Sequence, residues 1–168
     1  MINKNYIKYL ALIPLFVLIQ VLILNEILFF TYINPYLYLT LIISLPLQTP
    51  KWFLLSYAFA LGFLIDVFGG SLGFHSTATV LSAFFKPAIS KITIPHNVLT
   101  DNDEIKLNKI GVKSYLIFAL LIIILHNNTL FLLEHLRFNL QILSKVLASS
   151  FVSLALISIL EIFKSSKK

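Results

Sequence analysis

Residues 60–76 read Ala60-Leu61-Gly62-Phe63-Leu64-Ile65-Asp66-Val67-Phe68-Gly69-Gly70-Ser71-Leu72-Gly73-Phe74-His75-Ser76. An apolar run ends beside one carboxylate, Gly69, Gly70 and Gly73 turn the chain, and a second apolar run opens behind them. The first run reaches back to Trp52 through Pro50-Lys51, and the second continues to Ile92. Two helices joined by a tight turn follow from this pattern. At about 1.5 Å per residue each approaches the ~30 Å thickness of a bilayer core. Gly62 and Asp66 lie four residues apart and so share a face, where a small residue admits a close partner helix.

The same alternation of apolar run and short polar break extends both ways. Upstream, Lys4 and Lys8 precede an apolar run from Leu10 to Leu24 that contains Pro14 and Gln20. No small-residue cleavage site follows it, so an uncleaved first span is expected. Residues 25–35 mix aromatic and polar groups, as an interfacial segment does. Tyr36 to Leu47 is short for a span and ends at Pro46 and Pro50, so it either extends backward or enters irregularly. Downstream, Thr93 to Lys113 is the one long polar stretch. Val112 to Leu136 is interrupted by His126-Asn127-Asn128-Thr129, and Ile142 to Phe163 leads to Lys164, Lys167 and Lys168. The expected fold is an all-α integral membrane protein, a single six-span helical bundle. Its spans fall at about 9–24, 31–48, 52–68, 74–92, 112–136 and 142–163, with a cytoplasmic loop at 93–111.

Composition agrees. Of 168 residues, 58% are hydrophobic and 12% charged, and the mean hydropathy is +0.92. Soluble domains carry about 25% charged residues, so a soluble enzyme, a disordered chain and a coiled coil are excluded. The net charge of +6 is not a nucleic-acid signal here, because the lysines punctuate apolar runs. With the N-terminus inside, Lys4, Lys8, Lys51, Lys86, Lys91, Lys106, Lys109, Lys113, Lys164, Lys167 and Lys168 are cytoplasmic, and only Arg137 and Lys145 are outside. That bias places both termini in the cytoplasm. Lys86 is expected to snorkel from the inner end of the fourth span.

Chemistry-bearing residues are few. No cysteine is present, so thiolate ligands and nucleophiles are excluded. Asp66 is costly within a membrane and is expected either to tie helix ends together or to contact a partner or ligand. An Asp66–His75 hydrogen bond would staple the glycine turn. Asp66, His75 and Ser76 lack a nucleophile elbow or oxyanion-hole pattern, so no catalytic residue is assigned. His126 and Asn127, with Glu134 eight residues beyond, form a candidate polar cavity, against interhelical hydrogen bonding as the plainer reading. No metal-ligand spacing or phosphate loop occurs, and no cofactor is expected. Ala148, Ser149, Ser150, Ser153, Ala155 and Ser158 make a small-residue packing face on the sixth run.

Several stretches carry a resemblance: Asn34-Pro35-Tyr36, Leu45-Pro46-Leu47-Gln48-Thr49-Pro50-Lys51-Trp52, Ala60 to Phe68, Gly73-Phe74-His75 and Phe85-Lys86-Pro87. Together they resemble the rod shape-determining protein MreD family in its Bacteroidetes-type form, over most of the chain. The family usually has aromatic-Arg-Pro where Phe85-Lys86-Pro87 stands; lysine keeps the charge and loses the bidentate fork. The resemblance implies a non-enzymatic inner-membrane scaffold of the cell-elongation machinery. It would pair directly with MreC, join MreB, RodA and its transpeptidase, sit among membrane lipids, bind no nucleic acid and be open to homodimerisation. It implies Gly62, Asp66, Gly73, His75, Lys86 and Pro87 as structural or partner-facing positions. The implied fold is similar to the S component of energy-coupling-factor transporters, and a small-molecule-binding transporter subunit is the alternative function. An intramembrane enzyme built on Asp66, His75 and Ser76 is the third.

Overall fold

A computed structural model describes residues 4–26, 33–96, 98–99, 103–136 and 140–166. Among them the chain is all-helical, with α1 at Lys4–Ile19, α2 at Leu39–Ser44, α3 at Lys51–Gly69, α4 at Phe74–Thr93, α5 at Leu107–Ile110, α6 at Val112–His135 and α7 at Leu140–Ser166. A π-helical turn, Gln20–Leu24, continues α1. Among the described residues, four helical stretches are long and apolar enough to cross a membrane: Tyr6–Leu24, Lys51–Gly69, Val112–His135 and Leu140–Ser165. Lys167, Lys168, Asp101, Arg137 and the beginning of the expected second span lie outside the described residues.

The helix α4 has the length of a span but a different composition. Ser76, Thr79, Ser82, Lys86 and Ser90 are buried along it. It packs between α3 and α6, so this polar row faces protein rather than lipid. Small residues there let neighbouring backbones come close.

Contacts fix the directions. Tyr6 of α1 stacks on Phe53 of α3 at one end. At the other end a Cβ placed on Gly69 would lie 3.6 Å from Asn25 Nδ2. The helices α1 and α3 therefore run the same way, and α4 returns antiparallel to α3 through the glycine turn. The segment between α1 and α3 must cover the same distance in reverse. Its Pro35 carbonyl meets Gln20 at the end of α1, and its Ser44 carbonyl meets Tyr9 near the start.

The expected span at 31–48 is not a continuous helix: only Leu39–Ser44 is α-helical in its described part. Proline explains the breaks. Pro35 precedes the helix, and Pro46 and Pro50 bar its continuation. Yet the segment is the most buried part of the molecule, with Tyr38, Leu39, Ile42, Ile43 and Leu45 fully enclosed. Backbone groups without helical partners need others when no water is present. They come from three surrounding helices. Gln20 donates to the Pro35 carbonyl at 2.9 Å and accepts from the Leu37 N–H at 3.2 Å. Ser149 and Ser153 of α7 accept from the N–H groups of Asn34 and Tyr36 at 3.2 and 2.9 Å. Lys86 Nζ of α4 donates to the Leu45 carbonyl at 2.6 Å.

The polar stretch after α4 is not simply solvated either. Its Ile105 is fully buried, and the Ile105 N–H donates to the Ser44 carbonyl at 3.2 Å. This tucks the loop against the same end of the bundle as Lys8, whose ammonium pairs with Glu104 at 3.0 Å.

Candidate functional site

Four positions singled out in the sequence meet where α3 crosses α4. Gly62 faces the first turn of α4 so closely that an added Cβ would lie 2.6 Å from Ser76 Cα and 2.7 Å from the His75 carbonyl oxygen. Gly73 precedes α4 with φ +85°, a conformation that favours glycine. One turn beyond Gly62, Asp66 directs its carboxylate at the open N-terminus of α4.

Each carboxylate oxygen is used twice. Oδ1 accepts from Ser71 Oγ at 2.5 Å and from the His75 N–H at 3.0 Å. Oδ2 accepts from the Ser76 N–H at 2.8 Å and also from the Ser76 hydroxyl. The carbonyl of Asp66 accepts from the Ser71 N–H at 3.0 Å. Asp66 thus caps α4 from a different helix, satisfying orphan N–H groups and placing negative charge at the positive end of the helix dipole. The staple to His75 runs through its backbone N–H, not its ring.

The ring of His75 turns the other way, into an aromatic cluster with Tyr36, Tyr38 and His126. Tyr38 Oη lies 3.0 Å from His75 Nδ1 and 2.7 Å from His126 Nε2. His126 Nδ1 lies 3.1 Å from Asn127 Oδ1, and Asn127 Nδ2 donates to Ser150 Oγ at 2.9 Å. Ser150 in turn donates to the Val146 carbonyl at 2.7 Å.

This chain has one polarity. A carbonyl only accepts, so the Ser150 hydroxyl donates to Val146 and must accept from the Asn127 amide. Asn127 then offers its oxygen to His126, whose Nδ1 carries the proton and whose Nε2 is bare. The Tyr38 hydroxyl donates to that Nε2 and accepts from His75 Nδ1–H. The His126 ring is neutral in this arrangement. A proton entering at His75 could pass through Tyr38 to His126, but the Asn127 amide ends the path. The cluster is therefore a closed network joining α4, α6, α7 and the broken segment, not a conduit across the membrane.

The candidate cavity residues part company. His126 and Asn127 are fully buried, and Tyr36, Tyr38, His75 and Ser150 occupy the space around them. Glu134 does not join them: its side chain is 50% exposed at the end of α6, with His135 at 4.0 Å. Eight residues advance a helix about 80° beyond two full turns, and α6 has by then outrun its neighbours. Lys86 is also corrected. It does not snorkel; it is 1% exposed, with its ammonium at the C-terminal end of α2, where the helix dipole favours a cation. Pro87 lines a cleft between α3 and α4.

Asp66, His75 and Ser76 do not align as a catalytic triad. The Ser76 hydroxyl donates to Asp66 inside the hairpin, and the His75 ring points to Tyr38 instead of Ser76. No cluster of three or more His, Cys, Asp or Glu suited to a metal occurs among the described residues. Sequence reading missed Gln20, Tyr38 and Ser153 as network members. The polar residue Gln20 inside an apolar span was the available signal for the first.

No known family model matches the chain, and no curated protein or solved structure is similar to it.

Proposed function

We propose that this chain is a non-enzymatic scaffold of the bacterial cell-elongation machinery, of the MreD kind, pairing with the single-span protein MreC. The observation that carries the reading is the convergence of Gly62, Asp66, Gly73 and His75, the core of the resemblance, at one helix crossing. The reading rests on that motif and its geometry. A scaffold needs a rigid shape and no reactive group, and here the polar side chains of the crossing are consumed by internal hydrogen bonds.

On this reading the chain crosses the inner membrane six times, with α2 and its irregular flanks as the second crossing and α4 as the fourth. Both termini are cytoplasmic. The support is the clustering of Lys8, Lys106 and Lys164 with Glu104 and Glu161 at the end where α1 and α3 begin, and the placement of Lys51 and Lys91 there by helix direction. Cationic groups at one end match the cytoplasmic side. A solute carrier would need room at His126 and Asn127, where side chains pack instead.

Affinity capture of the tagged full chain from its own host in mild detergent, read by mass spectrometry, tests the proposal. Enrichment of MreC with RodA is expected. Enrichment of an ATPase and a coupling subunit in their place would overturn it in favour of the carrier.

A further inference from the structure

The outward face of the α3–α4 hairpin carries a groove with charge at one end only. One cleft of about 360 Å³ is lined by Lys51, Leu54, Leu55, Phe84 and Lys91, among others. A second of about 390 Å³ is lined by Leu55, Phe59, Val80 and Phe84. Leu55 and Phe84 line both, so the two clefts adjoin along the hairpin. The walls of the groove are mainly branched and aromatic, and the chain's own side chains leave it open: Phe59 is 53% and Phe84 62% exposed.

Among the described residues, four other lysines at that end are paired, and Lys113, outside the groove lining, is not. Lys8 and Lys106 pair with Glu104, Lys109 with Asp103, and Lys164 with Glu161. Neither Lys51 nor Lys91 has a carboxylate partner among the described residues, and both are exposed. Beside them Trp52 is 66% exposed, as befits an interfacial anchor. A largely apolar groove headed by two cations without carboxylate partners has the charge complement of one molecule class. The lining also holds Ala83, Ala88, Ser76 and Thr77, so it is the pair of cations at the mouth, more than the walls, that selects an anionic lipid.

We infer that the α3–α4 groove is a selective site for an anionic phospholipid, with its phosphate between Lys51 and Lys91 and an acyl chain along Leu54, Leu55, Phe59 and Phe84. The site stands independently of the scaffold reading. It would fix the depth and tilt of the hairpin that Asp66 holds together.

Trp52 is the only tryptophan and reports on the site directly. The full chain is reconstituted into phosphatidylcholine–phosphatidylglycerol vesicles in which one lipid or the other is brominated on its acyl chains. Trp52 fluorescence quenching then gives the preference for the anionic lipid. About 1 kcal/mol per lysine near a membrane surface corresponds to roughly a fivefold preference for one contact, so at least that is expected. Lys51→Gln/Lys91→Gln should bring it close to unity. Lys51→Arg/Lys91→Arg should keep it, as should Lys113→Gln, at a lysine outside the groove lining, and rising salt should weaken it. Equal quenching by both lipids in the unaltered chain would overturn the inference. So would an equal loss in Lys113→Gln, which would mean a diffuse surface potential. Absence of quenching by either lipid would also overturn it, since the groove would then be covered by protein. Should the double glutamine variant not fold, the unaltered chain, the arginine pair and the Lys113→Gln control still decide.

Discussion

Gly62→Ala tests the central joint with a single methyl group. The new Cβ would sit 2.6 Å from Ser76 Cα, a backbone atom that cannot rotate away, where ordinary contact begins at 3.4 Å. The helices α3 and α4 must therefore separate locally by about 0.8 Å. That movement stretches the Ser76 N–H···Asp66 Oδ2 bond from 2.8 Å to a distance where a hydrogen bond no longer holds. Overpacking of this kind costs about 1–3 kcal/mol. Loss of one charge-assisted bond adds roughly 1.5–3 kcal/mol, and the better helix propensity of alanine returns about 1 kcal/mol. The net expectation is a loss of about 1.5–5 kcal/mol, read as the change in reversible denaturant unfolding of the full chain in detergent micelles. A cycle with Asp66→Asn adds a sharper reading. Gly62→Ala already weakens the cap, so the two losses should fall short of additive by 1 kcal/mol or more (order of magnitude). Stability within about 0.5 kcal/mol of the unaltered chain, or strict additivity, would show that the crossing is looser than described and that Asp66 does not cap α4.

Three further expectations follow from the same geometry. Tyr38→Phe leaves the bare His126 Nε2 and the His75 Nδ1–H without partners and should cost about 2 kcal/mol in the same unfolding assay, with both imidazoles shifted in nitrogen NMR; unchanged ring signals would contradict the assigned tautomers. Burial pushes the Glu104 carboxyl up, but hydrogen bonds and charge from Lys106 and Lys8 outweigh it and hold the group at about 2 against an ordinary 4.5. Because the folded value is the lower one, its stabilisation is present above pH 4.5 and lost as pH falls toward about 2, so the unaltered chain should lose stability across that interval more steeply than Glu104→Gln. Identical acid profiles would remove the Lys8–Glu104–Lys106 cluster from the account. Glu161→Gln should leave stability within about 0.5 kcal/mol or raise it, while Asp66→Asn costs about 2 kcal/mol, because buried carboxylates are worth keeping only where their lone pairs are satisfied.

How far the sequence foretold this structure depended on the kind of signal. Apolar runs of span length announced α1, α3, α6 and α7, and the glycine turn announced the α3–α4 hairpin. The Gly62–Asp66 spacing placed both on the inner face. The broken segment was visible as a short run between prolines, but its depth was not. A chain of Tyr36 to Leu47 looks too short for a span, and the side chains of Gln20, Lys86, Ser149 and Ser153 are what satisfy its irregular backbone in the core. Those partners lie from 15 to 117 residues away, and no local pattern encodes such pairings. Lys86 misled for the same reason. Beside a membrane edge a lysine is expected to reach water, and its true partner is a carbonyl 41 residues distant. The place of Glu134 failed on simple geometry, since sharing a face at eight residues requires a helix that is still enclosed.

Asp66 and Glu161, the two carboxylates buried among the described residues, show how polar groups are sorted in this bundle. Asp66 meets four donors from one turn and one helix start, so its charge is distributed over a cap that nothing else in the sequence supplies. Glu161 lies near the Leu107 backbone at the start of α5, with Lys164 at 3.7 Å, yet its Oε1 has no partner. A carboxylate so placed holds the loop before α6 to α7 without defining a single geometry. The joint at Asp66 is therefore the rigid one and the joint at Glu161 the compliant one. If a partner moves this molecule, the motion should appear at the Lys106–Ile110 end while the α3–α4 crossing stays fixed. Hydrogen exchange places the order: the His75 and Ser76 amides should be among the slowest to exchange and Leu107 clearly faster.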